Sequence, residues 1–378
     1  MPHESETTGI GRRNMSALMS VLQQARYASV TPDILQEAAP FLDLGGEEIR
    51  ASLFFTTDQT GRELCLRPEF TIPVCRAYLT SADAGTPTRY SCAGPVFRMR
   101  AGEPAETLQV GLESFGRTDT AAADAEVLGL ASEAVRAAAG GSLTTIFGDA
   151  GLLASLLDAL RLPALWQRRL KRGLDKGESA ATVLAAAPTT AADHSGVLAA
   201  MAGTDAAGAR ALVDDLLSIA GIASVGGRSA SEIAERFLSQ VALRAAPPFG
   251  PEQRSILDRY LAIAGEPDAA ALALRALAEE AGLDLSAALD LFEARISLMA
   301  IEGVDLATTR FSGAFGRNLD YYTGFVFEAR LAGLPGGPVL VGGRYDRLAQ
   351  ALGSTVPVPA VGAAIWVDTL HPGQGTPR

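Results

Sequence analysis

No run of apolar residues in this chain is long enough to span a membrane, although hydrophobic residues make up 48% of its 378 positions. The opening residues, M-P-H-E-S-E-T-T-G, lack a basic region followed by an apolar stretch, so a secretory signal is not expected. Cysteine is scarce. Cys65, Cys75 and Cys92 are the only three and none forms a C-x-x-C pair, which fits reduced thiols in a cytoplasmic protein. Histidine is equally scarce: His3, His194 and His371 are scattered, two of them near the termini. That spacing argues against a histidine-based zinc site and against a Ser-His-Asp set. Basic charge is also short, with a net charge of −11. Proteins that grip phosphate backbones usually show a basic face. The one dense basic cluster, Arg168, Arg169, Lys171 and Arg172, reads as a solvated helix surface. Nucleic acid is therefore disfavoured as the main partner. No cofactor or metal site is expected, and no internal repeat is found.

What is present suits two or three domains with a large core. Residues 1–12 read as a flexible lead and Ser16 to Tyr27 as a helix with Leu18, Val21 and Leu22 on one side. Leu53 to Thr57 and Glu63 to Leu66 read as short strands around a turn at Gln59-Thr60-Gly61. Thr71 to Leu79 reads as a helix with Pro73 in its first turn, where the missing N–H costs nothing. Arg89 to Arg100 is strand-like and should pair antiparallel with the strand after 106. Ala121 to Ala139 is a helix ended by Gly140-Gly141, and Leu143 to Gly148 a strand. From 151 to 304 the chain is rich in Ala and Leu and reads as a mainly helical insertion. Leu285, Leu289, Phe292, Ile296 and Met299 form a helical stripe within it. Strands return at Thr323 to Leu331, Pro338 to Val341 and Ala360 to Val367, with a helix expected over Tyr345 to Leu352. The pattern predicts an α+β fold: an antiparallel sheet flanked by helices, contributed by residues 1–150 and 305–378 around the insertion.

The nine residues Leu108 to Gly116, L-Q-V-G-L-E-S-F-G, sit at the centre of this plan. Leu108, Val110 and Leu112 face one side of an extended strand, and Gln109, Gly111 and Glu113 the other. An amide and a carboxylate flanking a residue without a side chain suggest floor space for a ligand. Three further sets add chemistry: Leu66-Arg67-Pro68-Glu69-Phe70-Thr71, Phe97-Arg98, and the far-end pair Arg317-Asn318-Leu319-Asp320-Tyr321-Tyr322-Thr323-Gly324 and Gly342-Gly343-Arg344-Tyr345-Asp346. Together they offer carboxylates for an ammonium or imidazole, arginines for a carboxylate and tyrosines for walls, which suits a zwitterionic amino acid. A plain alternative is that Glu113 only pairs with a neighbouring arginine such as Arg98.

In this order, R-P-E-x-T, F-R, Q-x-x-x-E, L-D-Y-Y-T-G-x-V-F-E and G-G-R-Y-D resemble the catalytic core of class II histidyl-tRNA synthetases over about residues 10–150 and 305–370. The resemblance implies that Glu69, Thr71, Arg98, Gln109, Glu113, Arg317, Tyr321, Tyr322 and Tyr345 line a histidine pocket. Glu69, Thr71 and Gln109 would face the α-amino end, and Glu113 and the tyrosines the imidazole. Arg317 stands where the synthetases keep an arginine that assists activation, and Pro32 where they build a homodimer interface.

The departures point further. Arg100 replaces the glutamate that meets adenine in the synthetases. The loop Ala101-Gly102-Glu103-Pro104-Ala105-Glu106 has two acids and no base. Thr369, in Trp366-Val367-Asp368-Thr369-Leu370, stands where an arginine holds the γ-phosphate. Such changes should repel a triphosphate. The chain also ends at Arg378, without the anticodon-reading domain that follows in the synthetases. An amino-acid pocket kept while ATP and tRNA sites are lost resembles the synthetase-like regulatory subunit of ATP phosphoribosyltransferase. That family implies a non-catalytic cytoplasmic protein that binds no tRNA. It would be a homodimer that joins a short catalytic subunit for the first step of histidine biosynthesis and confers feedback by histidine. The alternatives are a stand-alone enzyme that adenylates histidine and a structural dimer with an empty pocket.

Overall fold

The computed structural model describes residues 3–185, 208, 210–212, 214–215, 250–316, 321–334 and 336–370. Residues 157–258 form one compact unit, and residues 1–156 with 259–378 form another. The larger unit is built on a nine-stranded sheet. From one edge its order is β1 (Ala28–Ser29), β5 (Thr88–Phe97), β6 (Glu106–Phe115), β12 (Ala360–Trp366), β11 (Leu340–Arg344), β10 (Phe325–Leu331), β7 (Leu143–Asp149), β9 (Thr309–Ser312) and β8 (Ala264–Gly265). Neighbours are antiparallel except β1 with β5 and β7 with β9. β5 and β6 form the antiparallel hairpin expected from sequence, with Phe97 opposite Glu106. The last strand, β12, enters the middle of the sheet between β6 and β11 and so joins the two halves of the chain.

Helices cover both faces. On one lie α1 (His3–Gln24), α4 (Thr120–Ala139) and α10 (Ser286–Ile301). The stripe on α10 is buried through Leu289, Phe292, Ile296 and Met299, and Phe292 packs against Phe147 and Phe311. On the other face lie α3 (Thr71–Thr80) and the short α11 (Leu348–Ala351), over a core that includes Phe70, Cys75, Tyr78, Phe115 and Tyr345. A separate three-stranded sheet, β2 (Leu35–Glu37), β4 (Glu63–Leu66) and β3 (Phe55–Thr57), precedes α3. Its β3–β4 turn is pinned by Asp58, whose Oδ1 accepts from the Thr60 and Arg62 amides at 2.8 and 3.0 Å.

Three details differ from the sequence reading. The first helix begins at His3 rather than Ser16, because extending a nucleated helix through polar residues is far easier than starting one. Gly342 and Gly343 lie inside β11 instead of ending a strand, and the helix after them covers only Leu348–Ala351. The Tyr345 amide donates to the Ala360 carbonyl at 2.8 Å, which keeps that residue in the sheet. Residues 259–304 group with the sheet and not with the helical unit, because Phe292 and β8 pack into it. The smaller unit shows α6 (Ala164–Asp175), on which Arg168 and Arg172 are exposed, as a solvated basic surface requires. No helix among the described residues is long and apolar enough to cross a membrane.

Candidate functional site

The β6 alternation sets the site. Gln109 and Glu113 are each only 2% exposed and face away from α4, on the side of the sheet covered by α3. Glu113 is opposite Gly362 of β12, and a Cβ at Gly362 would land on Glu113 Oε2. Glycine there is what lets the carboxylate lie across β12 and reach the next strand. At that end of β11 the Tyr345 hydroxyl donates to Glu113 Oε2. Tyr345 is in turn stacked on Tyr321, with ring centroids 5.4 Å apart, and Tyr321 meets Tyr322 edge-on at 5.1 Å.

Glu69 approaches from the entry to α3. Its carboxylate accepts from the Thr71 and Ile72 amides at 2.5 and 3.0 Å, two of the donors that a helix start leaves unpartnered inside the helix. Pro73 follows in the first turn, as expected. The Thr71 hydroxyl lies within reach of both Glu69 and Glu113. Arg98 donates from Nε to the Pro68 carbonyl at 2.7 Å, and its charge favours the ionised form of Glu69. Glu113 is thus bonded to Tyr345, and not tied up with Arg98 in the plain ion pair that was the alternative. Burial pushes the Glu113 carboxyl up to about 8, with the nearby Glu69 charge adding to the rise and the Tyr345 hydroxyl opposing it. Burial likewise raises Glu69.

The structure therefore brings Glu69, Thr71, Arg98, Gln109, Glu113, Tyr321, Tyr322 and Tyr345 onto one face of the sheet. Arg317 lies outside the described residues. The floor at Gly111 is less open than the sequence suggests: a Cβ there would meet Cys92 Sγ at 2.8 Å and Phe70 Cβ at 3.8 Å. The Cys92 thiol fills the gap between amide and carboxylate. Cys75 is also close enough for the Glu113 charge to act on it, and its thiol is pushed up to about 12, chiefly by burial. Neither cysteine was legible as part of the site, because their proximity comes from the β5–β6 register and from the tilt of α3. Trp366 was missed for the same reason: it is opposite Gln109 across β12 and β6 and so shares its face.

Arg344 of G-G-R-Y-D has a different job. It is 3% exposed and points to the face covered by α4, where Nε meets Asp124 Oδ1 at 2.8 Å. Arg295 bonds Asp124 at 2.8 Å and Asp149 at 2.7 Å, completing a buried network. This network fixes the strand that presents Tyr345.

The arrangement can neutralise a cationic ligand: one carboxylate on a helix start, one bonded to a tyrosine of a stacked pair, a threonine hydroxyl in reach of both, and an amide and an arginine on the same face. The histidyl-tRNA synthetase family model matches residues 5–227 and 208–370. The ATP phosphoribosyltransferase regulatory subunit of Brucella anthropi is 41% identical over 94% of this chain and 96% of its own. The protein of that name from Brucella melitensis is 39% identical over 96% and 98%. A crystal structure from Bacillus halodurans, described as an ATP phosphoribosyltransferase regulatory subunit/histidyl-tRNA synthetase, superposes with a TM-score of 0.68 at 22% identity, covering 98% of this chain and 79% of that one. The nine-stranded sheet with its helical layers is thus the class II synthetase fold, and the chain belongs to the family of ATP phosphoribosyltransferase regulatory subunits, which carry the histidyl-tRNA synthetase core.

Proposed function

We propose that this chain works in the cytoplasm as the non-catalytic partner of a short ATP phosphoribosyltransferase catalytic subunit. It pairs with a second copy of itself through the sheet core, and its buried pocket takes free histidine as the feedback signal. The observation that carries the reading is Glu113. It is a buried carboxylate that, among the described residues, meets a tyrosine hydroxyl, a threonine and a second carboxylate, but no cation. Such a group is poised to receive a cationic donor from a ligand, since a buried charge is tolerated once it is paired. Histidine supplies two such donors. Its ammonium suits the end held by Glu69, Thr71 and Gln109, and its imidazole the end held by Glu113 and Tyr345. Arg98 suits its carboxylate.

The same residues leave little for ATP or tRNA. Arg100 pairs with Glu103 within the 101–106 loop at 3.3 Å, and the Thr369 hydroxyl turns back onto the Trp366 carbonyl at 2.8 Å. Feedback follows by linkage: if histidine favours one state of the complex, then that state must bind histidine more tightly by the same factor. Reconstitution with a short catalytic chain tests the reading. Phosphoribosyl transfer should require this chain and fall when histidine is added. The Glu113→Gln variant should support transfer while losing sensitivity to histidine. Transfer that is indifferent to this chain, or histidine-dependent exchange of pyrophosphate into ATP by this chain alone, would overturn it.

A further inference from the structure

The antiparallel pairing of β12 with β6 places Trp366 directly opposite Gln109, just as Gly362 is opposite Glu113. Side chains of directly opposed residues project to one face, with Cβ atoms about 4.5–5.5 Å apart. The Gly362 position confirms the face, because a Cβ there would run into the Glu113 carboxylate. The indole therefore stands beside Gln109 on the pocket side of the sheet. It is held there from both sides of the strand. The Trp366 amide donates to the Val339 carbonyl at 2.9 Å. Beyond it, the carboxylate of Asp368 accepts from the Leu108 amide at 2.7 Å, which fastens the segment after β12 to the start of β6. The ring is partly buried against the core that contains Phe70 and Tyr345. The Arg98 guanidinium lies 5.9 Å from the ring centroid, within the range of a cation–π contact.

Arg98 is the group suited to a ligand carboxylate, and Trp366 stands beside it. The other β12 residues on this face, Ala360, Gly362 and Ala364, are small, and the Glu113 carboxylate lies over Gly362, so Trp366 is the bulky side chain that β12 puts on this face, beside Gln109. We infer that Trp366 is the specificity-determining residue that closes the carboxylate end of the pocket, so that the site takes a free α-amino acid and rejects derivatives extended through the carboxyl group, such as N-substituted amides, esters and acyl phosphates. This rests on the histidine-pocket reading and adds to it a limit on ligand length. Under it, the pocket senses the unactivated amino acid, which is the form a feedback signal takes.

The test separates length from charge by comparing two ligands of equal charge, histidinamide and histidine N-benzylamide, both read by competition against labelled histidine. In the wild-type protein the benzylamide should bind about ten- to hundredfold more weakly than histidinamide, the range that forced overpacking of a filled site produces. In Trp366→Ala the gap should shrink to less than about threefold, the ratio being read whatever the variant's own affinity for free histidine. Trp366→Leu, which keeps more of the volume, should fall between, and melting curves establish that each variant is folded. Equal binding of the two amides by the wild type, or an unchanged gap in a folded Trp366→Ala, overturns the inference while leaving the histidine pocket intact. Failure of the wild type to bind histidine at all removes the pocket reading and this one with it.

Discussion

The two faces of the central sheet both bury acidic side chains, and they treat them in opposite ways. On the face under α4 and α10, Asp124 is fully buried but bonds Arg295 and Arg344, and Asp149 bonds Arg295. Each acid has a guanidinium 2.7–2.8 Å away. On the face under α3, Glu113 is as deeply buried yet is surrounded by Tyr345, Thr71, Glu69 and the thiols of Cys75 and Cys92. A charge network that closes on itself holds elements together. A buried carboxylate left for something else to neutralise marks a place for a ligand. Acids buried against the same sheet thus separate into scaffold and site by whether the charges balance internally.

Breaking the scaffold side should have the largest effect. Asp124→Ala removes the acid that Arg295 and Arg344 share, leaving them Asp149 and Asp346, and removing one partner of a buried ion pair costs about 3–5 kcal/mol. Urea unfolding of the larger unit should show a loss of that size. A loss below about 1 kcal/mol, the range of a surface pair, would erase the contrast between the faces.

The site side should respond in the opposite direction. Glu113→Gln mimics the protonated carboxyl. The native carboxyl is raised to about 8 while the unfolded one titrates in the ordinary range. Between those limits the native state holds a proton that the unfolded state has released, so wild-type stability falls as pH rises from about 4.5 to about 8. The variant should lack that decline and be more stable than wild type at pH 8 by on the order of 3 kcal/mol. Its affinity for histidine should nevertheless drop about ten- to hundredfold, the loss of one charged hydrogen bond. Parallel pH-dependent stability curves for the two proteins would sink the idea that Glu113 is an uncompensated buried acid.

Much of this contrast was legible in the sequence. The alternation in Leu108 to Gly116 placed Gln109 and Glu113 on one face, and Pro73 located the helix start that Glu69 serves. Periodicity reports which face a residue takes, and that decided most of the site. It does not report which strands become neighbours. Trp366 and Gln109 are far apart in the chain and meet only because β12 inserts beside β6. Cys92 fills the space above Gly111 only because the β5–β6 register brings the two together. The role of Arg344 was hidden similarly. Its motif pointed to the pocket, but its position in β11 turns it to the opposite face, toward an aspartate on a helix 220 residues earlier.

The smallest effect concerns a side chain that touches both carboxylates. Thr71 lies within reach of Glu69 and Glu113, and its hydroxyl favours the ionised form of each. Thr71→Val keeps the shape and removes that donor. The Glu113 carboxyl should then be raised further, because one of the two groups opposing the effect of burial is gone. A higher native value means that the native state keeps its proton to a higher pH, so the decline in stability should extend beyond its wild-type end near pH 8. At pH 5 the acid is protonated in the native state of both proteins, and the variant should cost little. At pH 9 it should cost about 0.5–1.5 kcal/mol, the net worth of one hydrogen bond. Asp124→Ala, by contrast, removes a pair that is already balanced on the other face. A Thr71→Val penalty equal at pH 5 and pH 9 would mean that the hydroxyl serves packing alone, and that the two acids are not joined through it.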